Sequence, residues 1–336
     1  MSKTEIAILD RDHITAQTLA DLCCDVVIDA AGPFQTSHTW VIQAAIDASM
    51  RYFDLTEGRD FVRGITKFDA QSQAKNIAVI AGASSIPALS HAVIDALTQN
   101  WQRYDQISMG IFPGNSAPRG LSVVQSILSY VGKPVRVFRQ GTWQSVTGWG
   151  LTHRIIVPLV GKRWASVCDT PDQDLLVTRY HPTTSAEFYA GLELSILHVG
   201  LWLLSWPVRW GWLHSLLPYA KSMLWVAKEL LPFGSDQGGM TIAITGLDAA
   251  RQPRHFVWGL TADANRGPYV PTLAALILVR QLRDGKLTFR GASPCVGLIS
   301  LSEFEREFKR LGLVTSIDAT ALARSNVVPN RAGNTR

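Results

Sequence analysis

The sequence predicts an α/β protein: an incomplete parallel sheet wound by helices, joined to a second α+β domain with a mixed or antiparallel sheet. Three observations predict it. Short apolar strands alternate with helical segments between Asp25 and Ala81. From Gln106 onward, strand-like runs are separated by glycine and proline turns instead. Finally, the stretch 192–231 is strongly apolar and reads as a helical hairpin holding Trp202, Trp206, Trp210, Trp212 and Trp225, five of the eleven tryptophans.

Taken in order, Ile6-Ala-Ile-Leu9 closed by Asp10 reads as a buried strand, and Ile14 to Leu22 has helical spacing. Asp25-Val-Val-Ile-Asp-Ala-Ala31 is nearly continuous in apolar and small residues, the pattern of a parallel strand covered on both faces, and Gly32-Pro33 stops it. Ser37 to Ser49 reads as a helix with Val41, Ile42, Ala45 and Ile46 on one face. Arg51 to Leu55 reads as a strand, Phe61 to Lys75 as a helix, and Ile77 to Ala81 as a strand ending at Gly82. Right-handed crossovers between such strands make the sheet Rossmann-like. In the second domain, Ile107 to Phe112, Val135 to Arg139, Trp143 to Gly148, Met240 to Gly246 and His255 to Ala262 read as strands. Pro271 to Leu282 reads as an apolar helix, and Ser302 as the cap of a helix running to Leu311. The expected organisation is a first domain at 1–104, a second at 105–265, helices at 266–322 returning to the first domain, and a disordered polar tail at 323–336.

Composition narrows the function. A chain of 336 residues that is 47% hydrophobic can fill two cores, and its 18% charged content lies below the roughly 25% usual for soluble domains. Apolar surface is therefore expected to be buried in a core, an oligomer interface or a membrane. The net charge is +5, but Lys and Arg are scattered and form no phosphate-tracking stripe, so no nucleic-acid partner is expected. Cys23, Cys24, Cys168 and Cys295 form no C-x-x-C pair and no zinc spacing, so no metal site is expected and a reducing cytoplasm suits them. Met1 to Asp12 lacks the basic and apolar regions of a secretory signal.

Three segments carry a resemblance: Val26-Val-Ile-Asp-Ala-Ala-Gly-Pro-Phe34, Tyr52-Phe-Asp-Leu-Thr-Glu57 and Gly82-Ala-Ser-Ser-Ile-Pro87. In order and spacing they resemble the latter half of the cofactor domain in the saccharopine dehydrogenase-like NAD(P)-binding oxidoreductases. Gly110 to Gly120, Ser129 to Trp143, Gly267 to Pro271 and Gly291 to Leu301 are similar to bacterial members of that group. The resemblance implies hydride transfer between NAD or NADP and a small-molecule substrate. The beginning departs from the family pattern, which opens with a strand, a G-x-G-x-x-G turn and a helix. Here Ile6 to Leu9 resembles the family's third strand, and the nearest approach to the fingerprint, Gly148-Trp-Gly150, lies in the second domain. That turn binds the pyrophosphate through helix N-terminal amides, so dinucleotide affinity is expected to be weak without it. The chain is on this reading N-terminally truncated. The edge of Val26 to Ala30 would then be covered by the Ile6 strand, by another chain or by nothing.

Ligands of open α/β sheets bind beyond the carboxyl ends of the strands. Ala31, Gly32, Pro33 and Phe34 would line the nicotinamide ribose, as the resemblance implies, or simply end a strand. Gly82, Ala83, Ser84 and Ser85 would face cofactor or substrate, or cap a helix. Asp54 and Glu57 form the candidate catalytic pair, able to exchange protons or hold an amine; the plainer reading is that Glu57 and its neighbours charge a helix N-terminus. His91 and His181 are further candidates without an assigned partner. The apolar stretch is too short to span a bilayer and is interrupted by Pro207 and Arg209, so it reads as a peripheral membrane contact, a homodimer interface or an internal hairpin. The reading is therefore an oxidoreductase impaired by the missing loop; the alternative is a non-catalytic remnant acting in oligomer or membrane association.

Overall fold

The computed structural model describes residues 6–36 and 38–321. The expected tail at 323–336 lies outside the described residues. In chain order the elements begin with α1 (Ala16–Ala20), β1 (Val26–Asp29), α2 (Trp40–Asp47), β2 (Arg51–Asp54), α3 (Arg59–Gly64), α4 (Asp69–Ala74), β3 (Ala78–Ala81) and α5 (Ser90–Leu97). Next come β4 (Arg103–Phe112), α6 (Leu121–Tyr130), β5 (Pro134–Arg139), β6 (Thr142–Thr147), β7 (His153–Val157), β8 (Gly161–Val167), α7 (Asp172–Tyr180) and β9 (Ser185–Ala190). The chain continues through α8 (Ser195–Arg209), α9 (Ala220–Glu229), β10 (Gly238–Leu247), β11 (Pro253–Ala262), α10 (Leu273–Arg283), β12 (Gly291–Pro294), α11 (Leu301–Leu311) and β13 (Val314–Ala321).

The first sheet has four strands in the order β1-β2-β3-β12, all parallel. Its side chains alternate between two cores. Tyr52, Val79 and Ala81 pack with Val41, Ile42 and Ile46 of α2, whereas Phe53, Ala78 and Ile80 join the larger cluster. That period of two, with both faces covered, is why β3 reads as an unbroken apolar run. The second sheet is mixed, in the order β13-β11-β10-β4-β9-β5-β6, and β4 and β9 run parallel while their neighbours are antiparallel. The hairpin of β7 and β8 joins it through β9. One core runs through both sheets: Phe53 and Ile80, Val93 of α5, Leu278 of α10, Phe304 of α11, and Ile107, Ile242 and Trp258 belong to a single buried cluster.

Four expectations are corrected. Ile6 to Leu9 forms no strand; Ile6 and Ile8 are 92% and 99% exposed, because an apolar run without a paired edge gains neither ladder bonds nor burial. The segment instead sends Arg11 to Asp29 at 2.8 Å and lays its guanidinium over the Phe34 ring. Among the described residues no strand pairs with the outer edge of β1. The helix expected from Phe61 to Lys75 breaks at Gly64 into α3, a 3-10 turn at Ile65–Phe68 and α4. The cap of α11 is Ser300, not Ser302, in a capping box with Glu303. The segment after residue 266 also carries two strands besides its helices: β12 joins the parallel sheet and β13 the mixed one.

Candidate functional site

The carboxyl ends of β1, β2 and β3 lead into the loops singled out from the sequence. Asp54 closes β2 and is fully buried. Its Oδ1 accepts the backbone N–H of Thr56 at 3.0 Å and of Gly82 at 2.8 Å, while its own carbonyl accepts Ala83 N–H at 2.7 Å. One carboxylate thus holds the loops after β2 and β3 together. Burial is the main cause that raises its pKa to about 7, against the two amide hydrogen bonds that lower it. Gly82 sits at φ +74°, and a Cβ there would lie 2.5 Å from Cδ of Pro87, so only glycine turns the chain at this point.

Glu57 points elsewhere. Ser84, itself buried, donates its hydroxyl to Oε1 of Glu57 at 3.2 Å. Desolvation raises the Glu57 pKa to about 7; the Ser84 hydrogen bond opposes this and the charge of Asp172 adds to it. Around it stand groups supplied by the second sheet and its helices. The Tyr130 hydroxyl, at the end of α6, donates to Sγ of Cys168 at 3.1 Å, and the Glu57 charge acts on both. Burial pushes the Cys168 thiol up to about 12, so it is a neutral thiol and not a nucleophile at pH 7. Behind Glu57, Asp172 is wholly buried, accepts the Ser90 hydroxyl at 2.7 Å and lies 3.5 Å from Nε2 of His91. Arg59 locks the frame: its Nε donates to Asp174 at 2.7 Å, and its Nη1 to Asp169 at 3.0 Å and to the carbonyl of Arg136 at 2.8 Å.

The residues named from the sequence therefore separate. Glu57 and Ser84 meet through one hydrogen bond beyond the ends of β2 and β3, whereas Asp54 acts as a loop clamp. Ala31 to Phe34 lies at the end of β1 with Asp29 accepting Ala31 N–H at 3.0 Å, and Ser122 of α6 donates to the carbonyl of Gly32 at 3.1 Å. His91 belongs to the buried Asp172 network, while His181 is the exposed, left-handed C-cap of α7. Gly148 and Gly150 make a packing turn around buried Trp149, whose Nε1 donates to the carbonyl of His198. Sequence reasoning missed Tyr130, Cys168 and Asp172. The one local signal was the acidic run from Asp169 to Asp174 directly after a strand.

Among the described residues there is no cluster of His, Cys, Asp or Glu that could hold a metal ion. Ala31–Phe34 and Gly82–Ser85 follow the carboxyl ends of β1 and β3. Among the described residues no G-x-G-x-x-G turn opens a helix.

No protein-family model matches the chain, and no curated protein matches its sequence. Among solved structures, apo saccharopine dehydrogenase (L-Glu forming) from Saccharomyces cerevisiae superposes with a TM-score of 0.64 at 11% identity, over 93% of this chain and 88% of that one. The chain has the saccharopine dehydrogenase fold. Two weaker overlaps carry no argument: amine dehydrogenase from Mycobacterium smegmatis (TM-score 0.30, 10% identity, 53% of this chain and 61% of that one) and a dehydrogenase from Clostridium difficile (0.32, 9%, 89% and 80%). At 11% identity the saccharopine dehydrogenase likeness is one of fold, and the chemistry has to be argued from the crevice.

Proposed function

We propose that the protein is an NAD- or NADP-linked oxidoreductase acting on a small molecule held beyond the carboxyl ends of β2 and β3, with Glu57 exchanging the substrate proton. The observation that carries it is Glu57 itself: a carboxyl hydrogen-bonded to buried Ser84, with a pKa raised to about 7, in the crevice where this sheet type binds ligands. Oxidising an alcohol or amine releases a proton as well as a hydride, and a group poised near neutrality can take the former. A nicotinamide bound at Gly82–Ser85 supplies the hydride acceptor. Ser84 fixes the carboxyl's orientation, while neutral Cys168 and Tyr130 keep the wall beside it uncharged.

The half-fit to the dinucleotide supports a weakened affinity. Titration with NADPH, followed by fluorescence transfer from tryptophan, is expected to show binding well above the micromolar range, and no signal up to about millimolar would overturn the reading. Glu57→Gln should lower kcat by about 10²–10⁴ while leaving dinucleotide binding unchanged. The outer edge of β1, with which no strand pairs among the described residues, favours a second reading, in which the chain no longer performs chemistry and retains only its association surfaces. The same titration separates the two.

A further inference from the structure

Helices α8 and α9 and the turns that follow each of them carry large exposed apolar side chains. Trp212, Phe233, Ile196, Trp225 and Trp210 are 74%, 73%, 71%, 62% and 53% exposed. The tryptophans are not scattered. Trp202, Trp206, Trp210 and Trp212 form a chain of ring contacts at 5.7, 5.2 and 4.9 Å, with the Arg209 guanidinium over the Trp206 ring at 5.5 Å. Beside them, exposed Val123, Leu204 and Val226 line an apolar groove of about 220 Å³ between α6, α8 and α9. On the other flank of α8, Lys133, Arg209 and His214 line a hollow of about 740 Å³ with Trp202 and Trp206.

The charge of this surface selects its partner. From Leu194 to Phe233 the exposed cations Arg209, Lys221 and Lys228 face a single acidic residue, Glu229. Lys221, Trp225 and Lys228 share one face of α9 by their helical spacing, so cations and an exposed indole stand side by side. A two-fold interface between copies of this chain would press like charges together. An anionic lipid surface satisfies both halves of the pattern, because indole rings partition to headgroup depth and Lys and Arg meet lipid phosphates. Among the described residues no helix is long and apolar enough to cross a membrane, so the contact is one of lying on the surface.

We propose that the surface formed by α8, α9 and the turns after them seats the protein on an anionic lipid bilayer, with Trp210, Trp212, Trp225 and Phe233 at the interface and Arg209, Lys221 and Lys228 against the phosphates. The test is sedimentation with vesicles of phosphatidylcholine alone and of equimolar phosphatidylcholine and phosphatidylglycerol, using the full chain without dinucleotide. The protein should pellet with the anionic vesicles, less so at high salt. Brominated acyl chains should quench its tryptophan fluorescence. The triple variant Trp210→Ser, Trp212→Ser, Trp225→Ser should bind at least about tenfold more weakly. The variant Arg209→Gln, Lys221→Gln, Lys228→Gln should lose the preference for phosphatidylglycerol. All six positions are exposed, so an unchanged melting temperature serves as the folding control. No pelleting with either vesicle, pelleting that both variants leave unchanged, or a wild-type dimer that the tryptophan variant converts to a monomer would overturn the proposal.

Discussion

Asp54 and Glu57 are close in sequence and both titrate near 7, yet they do different work. Asp54 organises backbone, so its acceptor atom matters more than its charge. Asp54→Asn keeps an oxygen in place and should cost little, whereas Asp54→Ala leaves two buried amides unpaired and should lower unfolding free energy by about 2–5 kcal/mol in urea titrations. For Glu57 the folded value lies above the ordinary one, so the fold favours the neutral carboxyl. That contribution is fully present below pH 4.5 and is lost as pH rises through about 7. Glu57→Gln should therefore gain stability relative to the wild type between pH 5 and 8, by up to about 3 kcal/mol, read from denaturant curves at the two pH values. The pH profile of activity should turn near the same value and lose that limb in the variant.

At the scale of elements, the β3 turn depends on Gly82. Gly82→Ala must place a Cβ against Pro87 at a left-handed φ, and about 2–4 kcal/mol of destabilisation is expected by thermal denaturation, together with loss of the crevice. The three parallel strands ahead of it were legible by their apolar centres, Val26 to Ile28, Tyr52-Phe53 and Ala78 to Ala81, although only the third strand is buried throughout. β12 was not: Gly291-Ala-Ser-Pro294 has no apolar pattern and is a strand only because β3 offers an edge and Asp69 accepts Ala292 N–H at 2.8 Å. β13, Val-Thr-Ser-Ile-Asp-Ala-Thr-Ala, has the polar composition of a sheet margin and joins β11 through backbone pairing. The candidate site was half legible. Glu57 and Ser84 follow strands, where ligand residues belong, but Tyr130, Cys168 and Asp172 reach Glu57 only through tertiary packing, which leaves no mark in local spacing.

Across the whole molecule, the shared core and Arg59 make the two sheets one mechanical unit. Arg59 is buried between Asp169 and Asp174, which are themselves partly exposed, so its removal should cost about 2–3 kcal/mol, below the figure for a wholly dry pair. Tyrosine fluorescence and far-ultraviolet circular dichroism should nevertheless report one coincident unfolding transition in the wild type and in Arg59→Met, because Phe53 and Ile80 belong to the same cluster as Ile107 and Trp258. Two separated transitions would show that the sheets fold independently.

The bare flank of β1 has a kinetic corollary. Among the described residues Val26 to Asp29 is paired on one side alone, and Ile28 is 45% exposed, whereas Ala78 to Ala81 is enclosed between β2 and β12 with every residue buried. Deuterium should therefore enter the first strand through local opening, while the amides of the third should wait for the whole protein to unfold. The parallel sheet is thus firm at one side and soft at the other, and any strand added in trans along the soft side would register as slowed exchange at Val26–Asp29 before it altered any other property of the protein.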